Sequence, residues 1–438
     1  MAFSISNWNT LAAADQRALL QRPVSKQSDL QASVAAIIRD VREQGDKALL
    51  AYAKRLDGLR SATFTLDTKL VNSIAQQIDP SLRQAIDEAY VRIRSFHELA
   101  KPQDFSLETA PGVTCASRYR GYEQIGLYIP GGSAPLISTV LMLGVPAQIS
   151  GVDNISLCTP LQQHNELHPG IAYAASKCGV TAIFALGGAQ AIAAMAYGTE
   201  TVPGSQKIFG PGNSWVTEAK QQIAFDPRGA AIDMPAGPSE VLVIADARAN
   251  PDFVAIDLLS QAEHGPDSQA IVISDSQALL NNIDKALDNE IKILTRQDIL
   301  SESKNNIRLI LVDSLQQALT ISNDYAPEHL ILQSENAETL ADNVKNAGSV
   351  FIGAWAPESL GDYCSGTNHV LPTYGFARSY NGLSTIDFMQ KITFQKVSPQ
   401  GIQNIGPCAM KLAHAEGLDA HKRAVEIRLN ALAAKTAS

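Results

Sequence analysis

Two polar stretches, well separated in the chain, carry most of its clustered metal-capable side chains. One reads Leu259-Ser-Gln-Ala-Glu-His-Gly-Pro-Asp267 and the other Gly361-Asp-Tyr-Cys-Ser-Gly-Thr-Asn-His369. Gln261, His264, Asp362 and His369 offer an amide oxygen, two imidazoles and a carboxylate, a donor set that suits a borderline cation such as zinc. Asn250 is a good N-cap and Pro251 a good first helical residue, with Phe253, Ile256 and Leu259 as the expected buried face. Gln261 and His264 then lie three apart in the last turn, where helix carbonyls favour a cation. Taken alone, such a pair reads first as a surface glutamine and a capping histidine.

A second kind of chemistry is offered by Tyr325-Ala-Pro-Glu-His329, which sets Glu328 beside His329. Adjacent side chains on a strand face opposite ways, so both serve one site only if Pro327 to His329 forms a turn before the strand. A glutamate and a histidine within reach of each other are standard acid–base material. Glycine-rich junctions at Ile129-Pro-Gly-Gly-Ser133, Gly187-Gly-Ala-Gln190 and Phe209-Gly-Pro-Gly-Asn213 each stand where a strand hands over to a helix. Exposed amides there suit a phosphate or pyrophosphate, but no G-x-G-x-x-G fingerprint is present, so the pattern does not name the nucleotide. Leu418-Asp-Ala-His421, with Glu416 before it, reads alone as a capped helix start. His97, His164, His168 and His414 read as surface or core histidines.

The elements that position these residues follow from periodicity. Val34, Ile37, Ile38 and Val41 share one face of a helix over 30–43, which Gly45-Asp46 breaks before a second helix ending at Leu56. A third helix is expected over 81–99. Strand-length apolar runs at 125–129, 155–158, 181–186 and 207–209 then alternate with helices beginning near Ser138, Pro169, Ala189 and Asn213. After the turn-rich Met234-Pro-Ala-Gly-Pro-Ser239 the strands resume at 241–244, 270–274, 307–312, 330–332 and 349–352. Such alternation implies two successive α/β blocks with parallel strands, divided near Ser239. The segment 388–397 reads as a helix end and a strand. The segment 400–435 reads as two helices broken at Gly417, with Val425, Leu429 and Leu432 as a stripe. That tail cannot hold a core of its own and must pack on the body or on another subunit. No internal sequence repeat is visible.

Composition narrows the class. The 438 residues carry 45% hydrophobic residues and a formal net charge of -9, ordinary globular content with no basic run for a nucleic-acid backbone. The five cysteines, Cys115, Cys158, Cys178, Cys364 and Cys408, are scattered and form no C-x-x-C pair, which points to a reduced, cytoplasmic protein. No signal peptide or membrane-length apolar run is indicated.

Six segments in order resemble the histidinol dehydrogenase family. They are Gly126-Leu-Tyr-Ile-Pro-Gly-Gly132, Phe209-Gly-Pro-Gly-Asn213, Asp233-Met-Pro-Ala-Gly-Pro-Ser-Glu240, Ser260-Gln-Ala-Glu-His-Gly-Pro-Asp267, Pro327-Glu-His329 and Ser365-Gly-Thr-Asn-His-Val-Leu-Pro-Thr373. The resemblance implies two incomplete Rossmann-like parallel-sheet domains with a helical N-terminal region and a small C-terminal helical tail. The corresponding division is an arm over 1–22, a discontinuous first α/β domain over 23–127 and 239–380, a second over 128–238, and a dimerisation tail over 381–438.

The same resemblance implies a zinc-dependent oxidation of L-histidinol through the aldehyde to L-histidine, consuming two NAD⁺. Its metal ligands fall on Gln261, His264, Asp362 and His421, one zinc per subunit, so His421 replaces the His369 that spacing suggested. The acid–base pair falls on Glu328 and His329. Ser239, His369 and Glu416 match substrate contacts, together with the four ligands and His329, and Tyr128, Gln190 and Asn213 match NAD contacts. A homodimer is implied, in which the tail carries Glu416 and His421 into the neighbouring active site. Cys364 reads as a small packing residue. The nearest rival is a zinc-dependent hydrolase with Glu328 as the base for water; a non-catalytic binding protein would leave the acid–base pair unexplained.

Overall fold

The computed structural model describes residues 3–23, 28–131, 134–162, 165–235 and 237–437. Gly132, Ser133, His164 and Ala236, named above, lie outside the described residues. In chain order the strands are β1 (Ile5–Asn7), β2 (Thr65–Leu66), β3 (Phe105–Ala110), β4 (Val113–Gly121), β5 (Gln124–Tyr128), β6 (Asn154–Cys158), β7 (Ala182–Phe184), β8 (Lys207–Phe209) and β9 (Ala231–Ile232). They continue with β10 (Glu240–Ala245), β11 (Gln269–Ser274), β12 (Ile307–Leu311), β13 (His329–Gln333), β14 (Ser349–Ile352) and β15 (Met389–Val397).

Two six-stranded sheets result, ordered β1-β12-β11-β10-β13-β14 (sheet 1) and β2-β7-β6-β5-β8-β9 (sheet 2). Each is built outward from its first crossover strand, β10 or β5, in the order 3-2-1-4-5, with one extra edge strand. Sheet 1 is parallel throughout, and in sheet 2 only β2 runs antiparallel. This is the Rossmann order without its sixth strand, repeated with no repeat in the sequence. Continuous apolar strands are required because both faces are covered. Val241, Val243 and Ala245 pack under the helices Pro251–Ala262 and Gln277–Glu290, while Leu242 and Ile244 pack with the helix Leu315–Tyr325 on the other side.

The expected helices appear as Ser28–Gln44, Asp46–Leu56 and Pro80–Leu99, with Gly45 between the first two at φ 52°. Val34, Ile37, Ile38 and Val41 are buried, as their spacing predicts. Their packing differs from the expected division: these helices join the two cores of sheet 2, and β5 is its central strand. The expected division places 23–127 with the first unit; the three helices and β5 pack with sheet 2, and β3 and β4 lie in a separate three-stranded sheet. The cause is contiguity, since strands and helices adjacent in sequence pack together. The arm before them belongs to sheet 1, where β1 adds an edge strand to β12.

The segment between Leu99 and β5 holds a hairpin absent from the sequence reading. β3 and β4 turn at Pro111-Gly112, where Gly112 has φ 78°, and β15 pairs antiparallel with β4 to give a three-stranded sheet. The tail then forms the helices Pro399–Ala415 and Asp419–Ala437 around Gly417 at φ 72°. Val425 and Leu429 close on Gly406, so the two helices pack on each other. No helix among the described residues is long and apolar enough to cross a membrane, and all five cysteines are free thiols.

Candidate functional site

The backbone of one residue organises the amino edge of sheet 1. Glu240 opens β10, and its N–H donates to Glu328 Oε2 at 2.8 Å. Its carbonyl lies 3.1 Å from His329 Nδ1. A carbonyl only accepts, so Nδ1 carries a proton. The His329 Nε2 is buried without a hydrogen-bond partner, and Asp362 Oδ1 stands 3.6 Å away. Glu328 precedes the strand rather than lying on it. Ala326 at φ 55° and the bonds from the Gly348 and Ser349 amides to the Pro327 and Glu328 carbonyls, both 2.9 Å, form the turn that lets both side chains serve one site.

The metal-capable residues come from two helix ends that return to the same edge. Asn250 caps Pro251–Ala262, Gln261 lies in its last turn, and His264 follows the C-cap, its N–H on the Gln261 carbonyl at 3.2 Å. The buried face is Val254, Ala255, Leu258 and Leu259; Ile256 is exposed and Phe253 only half-buried, correcting the expected face. Packing on β11 and on the neighbouring helix takes a face rotated from the one counted in the sequence. Asp362 lies in the helix Glu358–Tyr363 and not in an open loop, and Glu358, one turn before it, faces the same way. Donor atoms of His264, Glu358 and Asp362 lie within 4.8 Å of one another. Gln261 sits against this group: with its amide oxygen accepting from Glu240 N–H at 3.0 Å, its nitrogen donates to Glu358.

These buried carboxylates perturb each other. Burial pushes Glu328 up to about 8, opposed by His329. Burial works against a charge on His329, yet Glu358, Glu328 and Asp362 outweigh it and hold its pKa at about 10. Burial likewise holds Glu358 well above the ordinary carboxylate range; burial also works to raise Asp362, but the neighbouring His329, 3.6 Å away, outweighs it and keeps Asp362 low.

His369 bridges the two units. Its Nδ1 faces the Asp362 carbonyl at 2.9 Å and its Nε2 lies 3.2 Å from Thr139 Oγ1, in the first turn of the helix Ile137–Ser150 that follows β5. Asn368 donates to the Met142 carbonyl on the same helix at 2.6 Å. Ser239 is half-buried beside Glu240. Glu416 and His421 are exposed on the tail, and His421 is not part of the His264–Glu358–Asp362 group.

Tyr128, Gln190 and Asn213 lie at the carboxyl edge of sheet 2. Gly188 N–H donates to the Tyr128 hydroxyl at 3.0 Å, and Gln190 donates to Asp57 at 3.1 Å. Asp57 also accepts from Gly187 N–H at 3.0 Å, and burial raises its pKa. Asn213 caps the helix Ser214–Ala224 after β8. A Cβ at Gly210, φ 126°, would stand 2.1 Å from the Tyr128 carbonyl, so the loop after β8 lies directly on β5. The strand order reverses between β5 and β8, the switch point where such sheets take nucleotides. Glu358, Thr139 and Asp57 were absent from the sequence reading; the i,i+4 spacing of Glu358 and Asp362 was the one available signal.

The model of the histidinol dehydrogenase family matches residues 20–429. The chain is 49% identical to histidinol dehydrogenase of Vibrio parahaemolyticus, over 97% of this chain and 98% of that one. It is 50% identical to the enzyme of Pseudoalteromonas translucida, again over 97% and 98%. The crystal structure of histidinol dehydrogenase from Elizabethkingia anophelis superposes with a TM-score of 0.93 at 48% identity, covering 99% of this chain and 98% of the other. The chain belongs to the histidinol dehydrogenase family. It is accordingly an NAD-dependent oxidoreductase of histidine biosynthesis, with the mixed α/β fold of that family.

Proposed function

We propose that the chain oxidises L-histidinol through L-histidinal to L-histidine with two NAD⁺, and that the reaction depends on zinc. The observation that carries this reading is the meeting of His264, Glu358 and Asp362, donor atoms within 4.8 Å, beside a glutamate and a histidine held by the backbone of one residue. An imidazole with buried carboxylates and an amide fits zinc. Gln261, His264 and Asp362 would hold the ion, with His421 from the tail of a second copy; bound there, zinc would orient the substrate through its imidazole and amino nitrogens.

In the first half-reaction His329 Nε2 takes the hydroxyl proton as hydride leaves the carbinol carbon for NAD⁺. The carboxylates that keep this imidazole protonated are those a dication would neutralise, which frees Nε2 as a base. In the second half Glu328 takes a proton from the water that attacks the aldehyde carbon, and a second hydride departs to leave the carboxylate. His369, reaching from Asp362 to Thr139, and Ser239 flank the substrate. Tyr128, Gln190 and Asn213 contact NAD⁺.

A homodimer completes the site, with Glu416 and His421 supplied across the interface. Exposed Leu412, Leu418 and Ile427 on the tail and Leu107, Ile392 and Phe394 on the three-stranded sheet supply apolar surface for a second copy. The test is NADH formation from purified protein, L-histidinol and NAD⁺. Two NADH per histidinol, abolished by chelation and restored by zinc, support the reading; none from the folded, zinc-loaded protein returns the site to hydrolytic chemistry.

A further inference from the structure

The Glu240 N–H and carbonyl each hold one member of the acid–base pair, so whatever fixes Glu240 fixes the pair. Its side chain is 2% exposed and clamped by Arg22, with Nε on Oε1 at 2.5 Å and Nη2 on Oε2 at 2.9 Å. Tyr374 N–H adds a bond to Oε1 at 2.8 Å. Arg22 Nη2 also donates to the Tyr325 carbonyl at 2.9 Å, and its guanidinium lies 3.9 Å from the centre of the Tyr325 ring. Tyr325 ends the helix that leads through Ala326 and Pro327 into Glu328. One guanidinium thus ties together the strand start that orients the pair and the turn that delivers it.

Arg22 comes from the N-terminal arm, which is fastened to sheet 1 independently. β1 pairs with β12, Gln269 donates to the Gln21 carbonyl at 3.1 Å, and Tyr374 donates to the Pro23 carbonyl.

We propose that Arg22 is a positioning residue for the Glu328–His329 pair, acting through Glu240. The fork matters as well as the charge: a guanidinium spans both carboxylate oxygens and stacks on a ring, whereas an ammonium does neither. The activity arm of the test rests on the reading above.

In Arg22→Ala, kcat for L-histidinol oxidation should fall about a hundredfold, as small misplacements of reacting groups do, while KM for NAD⁺ stays as in wild type. Millimolar guanidinium should restore part of the rate to this variant and nothing to the wild type. Arg22→Lys should recover only part of the loss, and it carries the test if Arg22→Ala does not fold. A second arm needs no substrate. The hydrogen-bonded Nδ1 proton of His329, assigned by NMR through its loss in His329→Gln, should vanish or shift in Arg22→Ala and return with guanidinium. A folded Arg22→Ala with wild-type kcat and an unmoved His329 signal overturns the proposal, as does a loss that guanidinium leaves untouched. If the wild type makes no NADH from L-histidinol, the functional reading fails, and the His329 signal still decides the role of Arg22.

Discussion

Glu358→Gln is the most informative single change at the candidate metal site. Glu358 is 1% exposed, and its carboxylate shares the 4.8 Å group with His264 and Asp362. It also receives the Gln261 amide when that group's oxygen turns to Glu240. Whether it touches zinc or only aims Gln261, glutamine in its place leaves the site short of one negative charge. Loss of a partner that orients ligands costs about 10- to 100-fold in metal affinity, and at 1.36 kcal/mol per decade this is about 1.4 to 2.7 kcal/mol. The pH dependence makes the test specific. Burial holds a proton on Glu358 well above the usual carboxylate range, so a cation must displace it. The logarithm of zinc affinity then rises with pH by about one per pH unit for each proton displaced. Glutamine has no such proton, so the slope should drop by about one in the variant. Competition with a chromophoric chelator at several values between about pH 6 and 8 measures both quantities. Equal affinity and equal slope in the two proteins would refute the placement of Glu358 at the metal.

Three further outcomes follow from the same geometry. Glu328→Gln should slow oxidation of supplied L-histidinal by about 10²- to 10⁴-fold, the range for a lost general base, and slow the alcohol step less; equal loss in both steps would remove Glu328 from water activation. His421→Asn and Glu328→Gln should each be inactive as pure dimers, yet random mixing should restore about a quarter of wild-type activity if the tail crosses to its neighbour, because half the sites in mixed dimers are then intact; no restoration on mixing would place His421 in its own subunit's site. His97 is fully buried with no partner at Nδ1, and burial lowers its pKa to about 4. The unfolded chain, with an ordinary value near 6.5, therefore binds the proton first. Stability is full above about pH 6.5 and falls by about 3 kcal/mol by pH 4. His97→Gln should flatten this acid limb in thermal denaturation, and parallel curves would exclude His97 as its source.

Much of this was legible because the local rules and the tertiary demand agree. Strands buried on both faces must be apolar without interruption, so β10 to β14 stand out as runs, and Asn250-Pro251 marks a helix start wherever that helix packs. The residues of the candidate site were visible as types: Glu328 beside His329, and Gln261 three before His264. What could not be read is set by packing across long separations. The hairpin β3–β4 exposes Phe105 and Leu107, so its alternation carries no inward apolar face. Helices over 28–99 join sheet 2 although their sequence is neutral between the two units. Arg22 and Glu240 are 218 residues apart, and neither has a signature that predicts the other.

The two sheets share one strand order but present opposite edges to the site, and helix electrostatics supplies a reason. In a parallel sheet, crossover helices begin at the carboxyl edge and end at the amino edge. The carboxyl edge therefore collects helix N-termini, which favour anions, and the amino edge collects C-termini, which favour cations. Tyr128, Gln190 and Asn213 stand at the first kind of edge, beside the starts of Gly188–Tyr197 and Ser214–Ala224. Gln261, His264 and Asp362 stand at the second kind, at the ends of Pro251–Ala262 and Glu358–Tyr363. On the proposed reading a pyrophosphate and a dication bind across one cleft, each on the backbone field that suits its sign. On the same reading His369, held between Asp362 on one side and Thr139 on the other, lies where substrate and cofactor would meet. On that reading, two α/β units of one strand order that turn unlike edges toward a cleft would supply both halves of a hydride-transfer site without a phosphate fingerprint in either half.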